Sequence, residues 1–289
     1  PMPISPETII RVLTISALAG LLGAVGLRLR PGEVVAAVKQ SRFTAITVAN
    51  FVVVPALAAA AAVVFQAPRD TMVAMILLGA APFAPVVPVF ARLARADLAL
   101  AAGLTAVFPV LSAVLTPVIC QLALRIVPGG GEIQFRFVGV LLTLLATITL
   151  PLTAGVAAHH YLPAFSRRLL RPLEGISEAT GALSLGFVVW TEFPAIIQCG
   201  AGVLMAMLIV FEIALGLGWL LGGPSLPARR VVALGTSNRN IALALLVAIQ
   251  SFAGTPVVSG VATNGLLLIL LGLVHVAYWR LRALLGRAP

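Results

Sequence analysis

The 289-residue chain is poor in charge, in aromatic residues and in cysteine. Charged residues make up 10% of it, with only nine Asp and Glu, whereas 61% is hydrophobic and the mean hydropathy is +1.12. So little polar surface cannot cover a soluble globule of this length, which excludes the ordinary cytosolic enzyme. The two cysteines, Cys120 and Cys199, each lie inside an apolar run. They form neither a disulfide framework nor a metal-ligand spacing and read as small buried hydrophobes, so no cofactor or metal is expected. His159 and His160 are adjacent, which on a helix points them apart, and are expected at a solvated interface; His275 has no matching ligand. Gly129-Gly130-Gly131 lacks the lysine and strand context of a phosphate loop and reads as an external connection. A cleavable leader is not evident, because the first apolar run has no basic flank before it and continues into Arg28 and Arg30.

What the chain does have is long apolar runs. Crossing a hydrocarbon core of about 30 Å takes about 20 apolar residues as helix. Nine such runs are present, at 9–27, 43–65, 72–91, 98–127, 137–159, 173–191, 196–221, 231–252 and 256–278. The alternating ten-residue pattern of a membrane β-barrel is absent. The fold class is therefore an all-α membrane protein with nine transmembrane helices, and its first partner is the lipid bilayer.

The net charge of +10 would suggest a nucleic-acid partner in a soluble protein, but the basic residues stand at the ends of apolar runs, so no nucleic acid is expected. Sorted by alternate loops, fourteen fall on one side: Arg28, Arg30, Lys39, Arg42, Arg92, Arg95, Arg167, Arg168, Arg171, Arg229, Arg230, Arg280, Arg282 and Arg287. Four fall on the other, Arg11, Arg69, Arg125 and Arg136, and Arg239 lies inside the eighth run. The positive-inside rule then places the chain in the cell inner membrane as a multi-pass protein, N-terminus outside and C-terminus in the cytoplasm.

Two runs cannot be simple helices. The third carries Pro82, Pro85 and Pro88, each removing a backbone donor and clashing with the turn before it. The eighth is interrupted by Gly235-Thr236-Ser237-Asn238-Arg239-Asn240, six small or polar residues. Broken backbone at membrane depth is tolerated only where it faces protein or a water-filled cavity. Each broken run is the middle of a trio, and paired interruptions in corresponding positions point to an inverted repeat whose binding site lies where the breaks cross. Arg239 is the sharpest candidate, since a mid-membrane charge costs about 2.5 to 3.5 kcal/mol even on the gentlest insertion scale. Glu212, the one acid deep inside an apolar run, could neutralise Arg239 or act as a proton site. Glu178 and Glu192 are expected to be solvated at the interface. Thr236, Ser237, Asn238 and Asn240 offer polar groups at a helix break, or merely cap the broken ends. Thr44, Thr47 and Asn50 form a polar stripe on the second run that could face the same place.

Four stretches resemble the bile acid:sodium symporter family. Asn50-Phe51-Val52-Val53-Val54-Pro55 is similar to its Gln-Phe-x-x-x-Pro, and Pro82-Phe83-Ala84-Pro85-Val86-Val87-Pro88 with Asp97-Leu98-Ala99-Leu100 to its first crossing helix. Leu115-Thr116-Pro117 resembles its Leu-Thr-Pro, and Asn240 through Phe252 to Pro256-Val257-Val258 resembles its second crossing helix and the sequel. The resemblance implies a single transporter domain, 1–289, with panel helices at about 9–27, 137–159 and 173–191 and core helices within about 43–127 and 196–278. It also marks departures. Where sodium-coupled members carry Glu-x-Gly-x-Gln-Asn, this chain has Gly235 and Arg239 at the carboxylate and Gln positions. Val87-Pro88 replaces a Ser-Asn pair, Asn50 stands at a sodium-site Gln, Ala101 replaces a serine, and Thr105 keeps a sodium-site threonine. A guanidinium about 5 Å from a sodium ion would oppose it by about 3 kcal/mol at an effective dielectric of 20, which argues against sodium as the coupling ion and leaves the proton open.

These residues predict a secondary transporter that moves a small organic anion, a carboxylate or a bile-acid-like molecule, by alternating access. Arg239, Asn238, Asn240, Thr236, Ser237, Asn50, Thr105 and Pro88 are the expected substrate-binding residues, with Glu212 as the ion-pair or proton site. An arsenite-permease-like carrier is the alternative, since Gly235-Thr236-Ser237-Asn238 resembles a stretch of that family, but its crossing-helix cysteine has no counterpart between 72 and 91. A non-transporting membrane receptor is a further alternative. Enzymatic function is not expected, because no nucleophile with a base is found at membrane depth.

Overall fold

The computed structural model describes residues 5–29, 31–127 and 135–285; Arg30, Arg287 and the Gly129-Gly130-Gly131 run lie outside the described residues. Among the described residues every regular element is a helix. In chain order they are α1 (Pro6–Arg28), α2 (Pro31–Gln40), α3 (Phe43–Val48), α4 (Val54–Val64), α5 (Arg69–Gly79), α6 (Val87–Leu93), α7 (Leu98–Ala123), α8 (Phe137–Leu144), α9 (Leu150–Tyr161), α10 (Pro163–Ile197), α11 (Ala201–Leu221), α12 (Leu226–Ser237), α13 (Ile241–Ser251) and α14 (Val257–Leu284). Among the described residues eight paths are long and apolar enough to cross a membrane, with α3–α4, α8–α9 and α12–α13 each forming one. The expected third span is not among them: it consists of α5 and α6, two short helices on either side of residues 80–86. Helix α2 and the 35-residue length of α10 were not foreseen.

Local chemistry explains the irregular helices. Prolines 55 and 151 lie inside helical paths, where each leaves a carbonyl one turn earlier without its donor. Both paths respond with a π-helical turn just upstream, Ala49–Val53 and Leu145–Thr149, in which the N–H of Val54 or Leu150 bonds five residues back. Pro82 and Pro85 fall in the gap between α5 and α6, but Pro88 occupies the first turn of α6, where no backbone donor is needed. The break is therefore made by two prolines, not three. The second break is also narrower than expected. Thr236 and Ser237 remain helical, and only Asn238, Arg239 and Asn240 separate α12 from α13.

The helices pack chiefly in two groups, α1 with α9 and α10, and α3–α7 with α11–α14. Glycine permits the closest contacts in the first: a Cβ on Gly26 would lie 2.2 Å from the Leu152 carbonyl oxygen, and one on Gly155 would lie 2.4 Å from that of Gly23. In the second group the two breaks meet. Phe83 N–H donates to the Gly235 carbonyl at 3.3 Å, Ala84 N–H to that of Asn238 at 3.4 Å, and Asn240 N–H to that of Ala81 at 2.7 Å. Each break thus supplies the backbone partners that the other lost, which is how irregular chain survives away from water. Phe83 takes a left-handed φ of 51° to make this turn and stacks on Phe108 at 4.2 Å between ring centroids.

Candidate functional site

The crossing is built around Arg239. Its side chain is 4% exposed, and each of its five N–H groups meets an oxygen. Nε donates to the Leu78 carbonyl at 3.3 Å; Nη1 donates to Asn50 Oδ1 at 2.7 Å and to the Thr236 carbonyl at 3.1 Å; Nη2 donates to the Asn50 carbonyl at 2.9 Å and to that of Gly79. The geometry follows from the breaks. Helix α5 stops at Gly79 and α12 at Ser237, so both leave last-turn carbonyls at the negative ends of their dipoles. A fixed cation placed there is stabilised by dipoles and hydrogen bonds together, with no carboxylate required.

Asn50 completes the cage. It is fully buried in the π-helical turn before Pro55, and its Nδ2 donates to the Ile46 carbonyl at 2.9 Å and to Thr236 Oγ1 at 3.2 Å, leaving Oδ1 aimed at the guanidinium. Ser237 Oγ donates to the Ala233 carbonyl at 2.9 Å and accepts from Asn238 Nδ2 at 3.4 Å. Of the stripe on the second span only Asn50 reaches the crossing; Thr44 is exposed, and Thr47 Oγ1 is buried with no partner among the described residues.

A cavity of about 420 Å³ lies between the crossing and helices α1 and α10. From the crossing it is lined by Asn238, Arg239, Asn240, Pro88 and Thr105, and from the opposite wall by Thr14, Leu18, Leu21 and Ser184. The expected binding residues therefore divide in two. Asn50, Thr236 and Ser237 stand behind Arg239, outside the cavity wall, and hold the cage together. Thr105 and Asn240, 0% and 1% exposed, each line the cavity and carry a side-chain atom, Oγ1 and Nδ2, with no partner among the described residues. Asn240 caps α13 with its Oδ1, accepting Leu243 N–H at 3.1 Å, so the positive end of α13 begins at the cavity wall through Ile241 and Ala242. The remaining wall is largely aliphatic.

Several residues stand elsewhere than the sequence led one to expect. Glu212 does not meet Arg239: its Oε2 is 3.3 Å from His275 Nε2, on the outer face of α11 against α14, and His275 Nδ1 contacts the Leu271 carbonyl at 2.9 Å. His275 therefore has one acidic neighbour but, among the described residues, no set of metal ligands. His159 is also engaged, through Nδ1, with the Leu27 carbonyl at 2.7 Å. Glu192 accepts from Ser259 Oγ and so is not merely solvated, whereas Glu178 is exposed, at the lining of the cavity. Sequence reasoning missed the opposite wall. Thr14 and Ser184 share a buried 2.8 Å hydrogen bond, and a hydroxyl inside each of two apolar runs was the available signal. Arg28, which pairs with Glu174, and Arg92 reach the cavity from span ends, where nothing in the sequence set them apart from topology signals.

The model of the sodium bile acid symporter family matches residues 15–199. The chain belongs to that family. It is a multi-pass membrane protein, as the apolar helices and the family together indicate. Among curated relatives it is similar to the probable sodium/metabolite cotransporter BASS1, chloroplastic, of Arabidopsis thaliana, 23% identical over 71% of this chain and 51% of the relative. It is likewise similar to the probable sodium/metabolite cotransporter BASS3, chloroplastic, of the same plant, 23% identical over 91% of this chain and 61% of the relative. The chain thus spans between half and two thirds of the length of these relatives. In this member of the family, the carbonyl-rich crossing is filled by its own guanidinium.

Proposed function

We propose that this family member is a secondary transporter of a small organic anion, working across the cell inner membrane by alternating access and without sodium at its crossing. The observation that carries the reading is the five-oxygen cage around Arg239. Main-chain carbonyls, an amide oxygen and two helix C-termini are what a desolvated alkali cation needs, and here they are already saturated by a tethered cation. A second cation in the same cage would be repelled by several kcal/mol. Because every donor is spent on the protein, Arg239 acts on the substrate through its field. The direct contacts fall to Asn240 Nδ2, Thr105 Oγ1, Asn238 and the first turn of α13, all at the cavity wall.

The cavity size favours a compact organic acid with an apolar body over an inorganic oxyanion, since its walls are mostly Leu, Val, Ile and Ala. Neither cysteine lines it, which weighs against the arsenite-permease reading. With two groups of helices flanking one site, rocking of α1, α9 and α10 against the rest is the motion that would expose it to each side in turn, as in an inverted-repeat carrier of nine spans with α5–α6 as the ninth. The experiment is uptake of radiolabelled organic acids into proteoliposomes. Uptake that continues when Na⁺ is replaced by K⁺ or choline supports the reading, and uptake abolished by that exchange overturns it. The pair formed by Glu212 and His275 favours the proton as coupling ion, because it joins a carboxylate inside the α11 span to an imidazole of α14. Glu212→Gln is then expected to remove pH-gradient-driven uptake while leaving counterflow exchange intact; equal loss of both removes the proton reading.

A further inference from the structure

A second basic site lies at the far end of the molecule from the Glu7 end of α1, where α6, α12 and α14 come together. Arg95, Arg230 and Arg280 line one recess of about 20 Å³, floored by Trp279. Helix α6 closes with a left-handed residue, Arg95 at φ 52°, and this turn aims the Ala94 carbonyl at α12. Arg230 Nη1 donates to it at 2.9 Å, and the guanidinium lies 5.8 Å from the Trp279 ring centre. That fixes the plane of Arg230 while leaving its Nε buried and without a partner among the described residues. No carboxylate among the described residues pairs with any of the three arginines; Asp97, which follows in the same loop, is spent capping α7 at Leu100 N–H. Three like charges held together with no acid among the described residues, and a buried donor left open, suit an anion.

We infer that this recess binds the phosphate of an anionic membrane phospholipid. The volume is that of about one water, enough for a single phosphoryl oxygen to enter and meet Arg230 Nε while Arg95 and Arg280, both exposed, close on the others. Its setting selects the source. Trp279 and Trp219 are in ring contact, Arg282 lies over the Tyr278 ring at 5.2 Å, and Leu281 and Leu284 are 58% and 77% exposed, so an aromatic and aliphatic collar surrounds the arginines. Aromatic belts with basic side chains mark headgroup depth, and basic pockets between helix ends there bind acidic headgroups. A soluble oxyanion would gain nothing from the collar. The site is separate from the large cavity, although both involve the α6 segment, through Arg92 and Arg95.

The test is thermal unfolding of the purified full chain in mixed micelles of stated composition. Phosphatidylglycerol at about 20 mol% is expected to raise Tm by about 5 °C over phosphatidylcholine at the same level. Inorganic phosphate at 10 mM is expected to leave Tm unchanged. The double variant Arg95→Gln/Arg280→Gln, both at exposed positions, should keep the wild-type Tm in phosphatidylcholine and lose more than half of the phosphatidylglycerol shift. Arg230→Lys, which keeps a charge near Ala94 but removes the fixed fork, should lose a similar share. Equal stabilisation by the two lipids, an undiminished shift in the double variant, or full protection by free phosphate would each overturn the assignment.

Discussion

At the scale of single residues the central question is whether Arg239 serves as structure or as charge, and two substitutions separate the roles. Arg239→Gln removes the cation and leaves most of five oxygen acceptors buried without a donor. The expected loss is about 3 to 5 kcal/mol, seen as a large fall in Tm in detergent, because stranding the partners of a buried charge is costlier than deleting an exposed one. Asn50→Asp does the reverse. It keeps an oxygen 2.7 Å from Nη1 and places a compensating negative charge beside the guanidinium, at the cost of the Nδ2 donation to the Ile46 carbonyl, which lowers Tm. For an anion roughly 7 Å away at an effective dielectric of 20, the cancelled attraction is about 2 kcal/mol, so Kd of the folded variant should weaken about thirtyfold. Binding measured by isothermal titration decides it: unchanged affinity in Asn50→Asp means that the field of Arg239 does not reach the substrate. Arg239→Ala offers a complementary reading, since the emptied cage should accept guanidinium from solution. Restored uptake in millimolar guanidinium is the expected result, and absence of rescue in a folded variant counts against the surrogate-cation idea.

At the scale of elements, the two breaks depend on one glycine more than on any proline. A Cβ on Gly235 would lie 2.1 Å from Phe83 Cε1, and Phe83 cannot retreat because it is fully buried, stacked on Phe108 and fixed in a left-handed turn. Gly235→Ala should cost about 1 to 3 kcal/mol through overpacking and separate the two breaks. The expected outcome is a lower Tm with transport lost, and wild-type uptake in this variant would show that the crossing tolerates displacement. Gly235 also shows what was legible in the sequence. That 235–240 interrupts a span was readable from polarity, and that 82–88 does so was readable from proline. The position of each break within those windows was not, because helix continuity at Thr236 and Ser237 is decided by packing against Phe83 and by the hydrogen bond of Thr236 to Asn50 across 186 positions. The fate of the Arg239 donors was equally unreadable, since they are satisfied by main-chain carbonyls that carry no residue-specific signature. Glu212 misled for a related reason: periodicity places it on a helix but does not say which face meets Arg239 and which meets His275. Eight of the nine expected apolar spans, by contrast, were plain, because length and composition alone decide them; the third, split at residues 80–86, was not.

At the scale of the whole molecule, polar ties between the two helix groups are concentrated at one end. Glu7 accepts from Gly254 N–H at 2.7 Å, Glu192 from Ser259 Oγ, and Gln250 Oε1 from Thr143 Oγ1 at 2.9 Å. At the other end Arg92 of α6 and Glu178 of α10 both line the cavity, exposed and with no partner among the described residues. One end is therefore tied and the other is not; under the orientation expected from the loop charges, the untied end would be the cytoplasmic one. If the proposed rocking operates, closing the mouth should bring Arg92 and Glu178 together as the three ties at the far end separate. An exposed pair formed only in the closed state is worth about 0.2 to 1 kcal/mol, enough to shift populations severalfold without setting the fold's stability. Arg92→Glu should therefore slow uptake severalfold through like-charge repulsion with Glu178, with Tm unchanged. Glu178→Arg should do the same through Arg92. The double exchange restores opposite charges in reversed order and should recover most of the wild-type rate. Additive loss in the double variant would mean that the two side chains never meet, and closure would then have to proceed by a movement other than rocking of α10 toward α6.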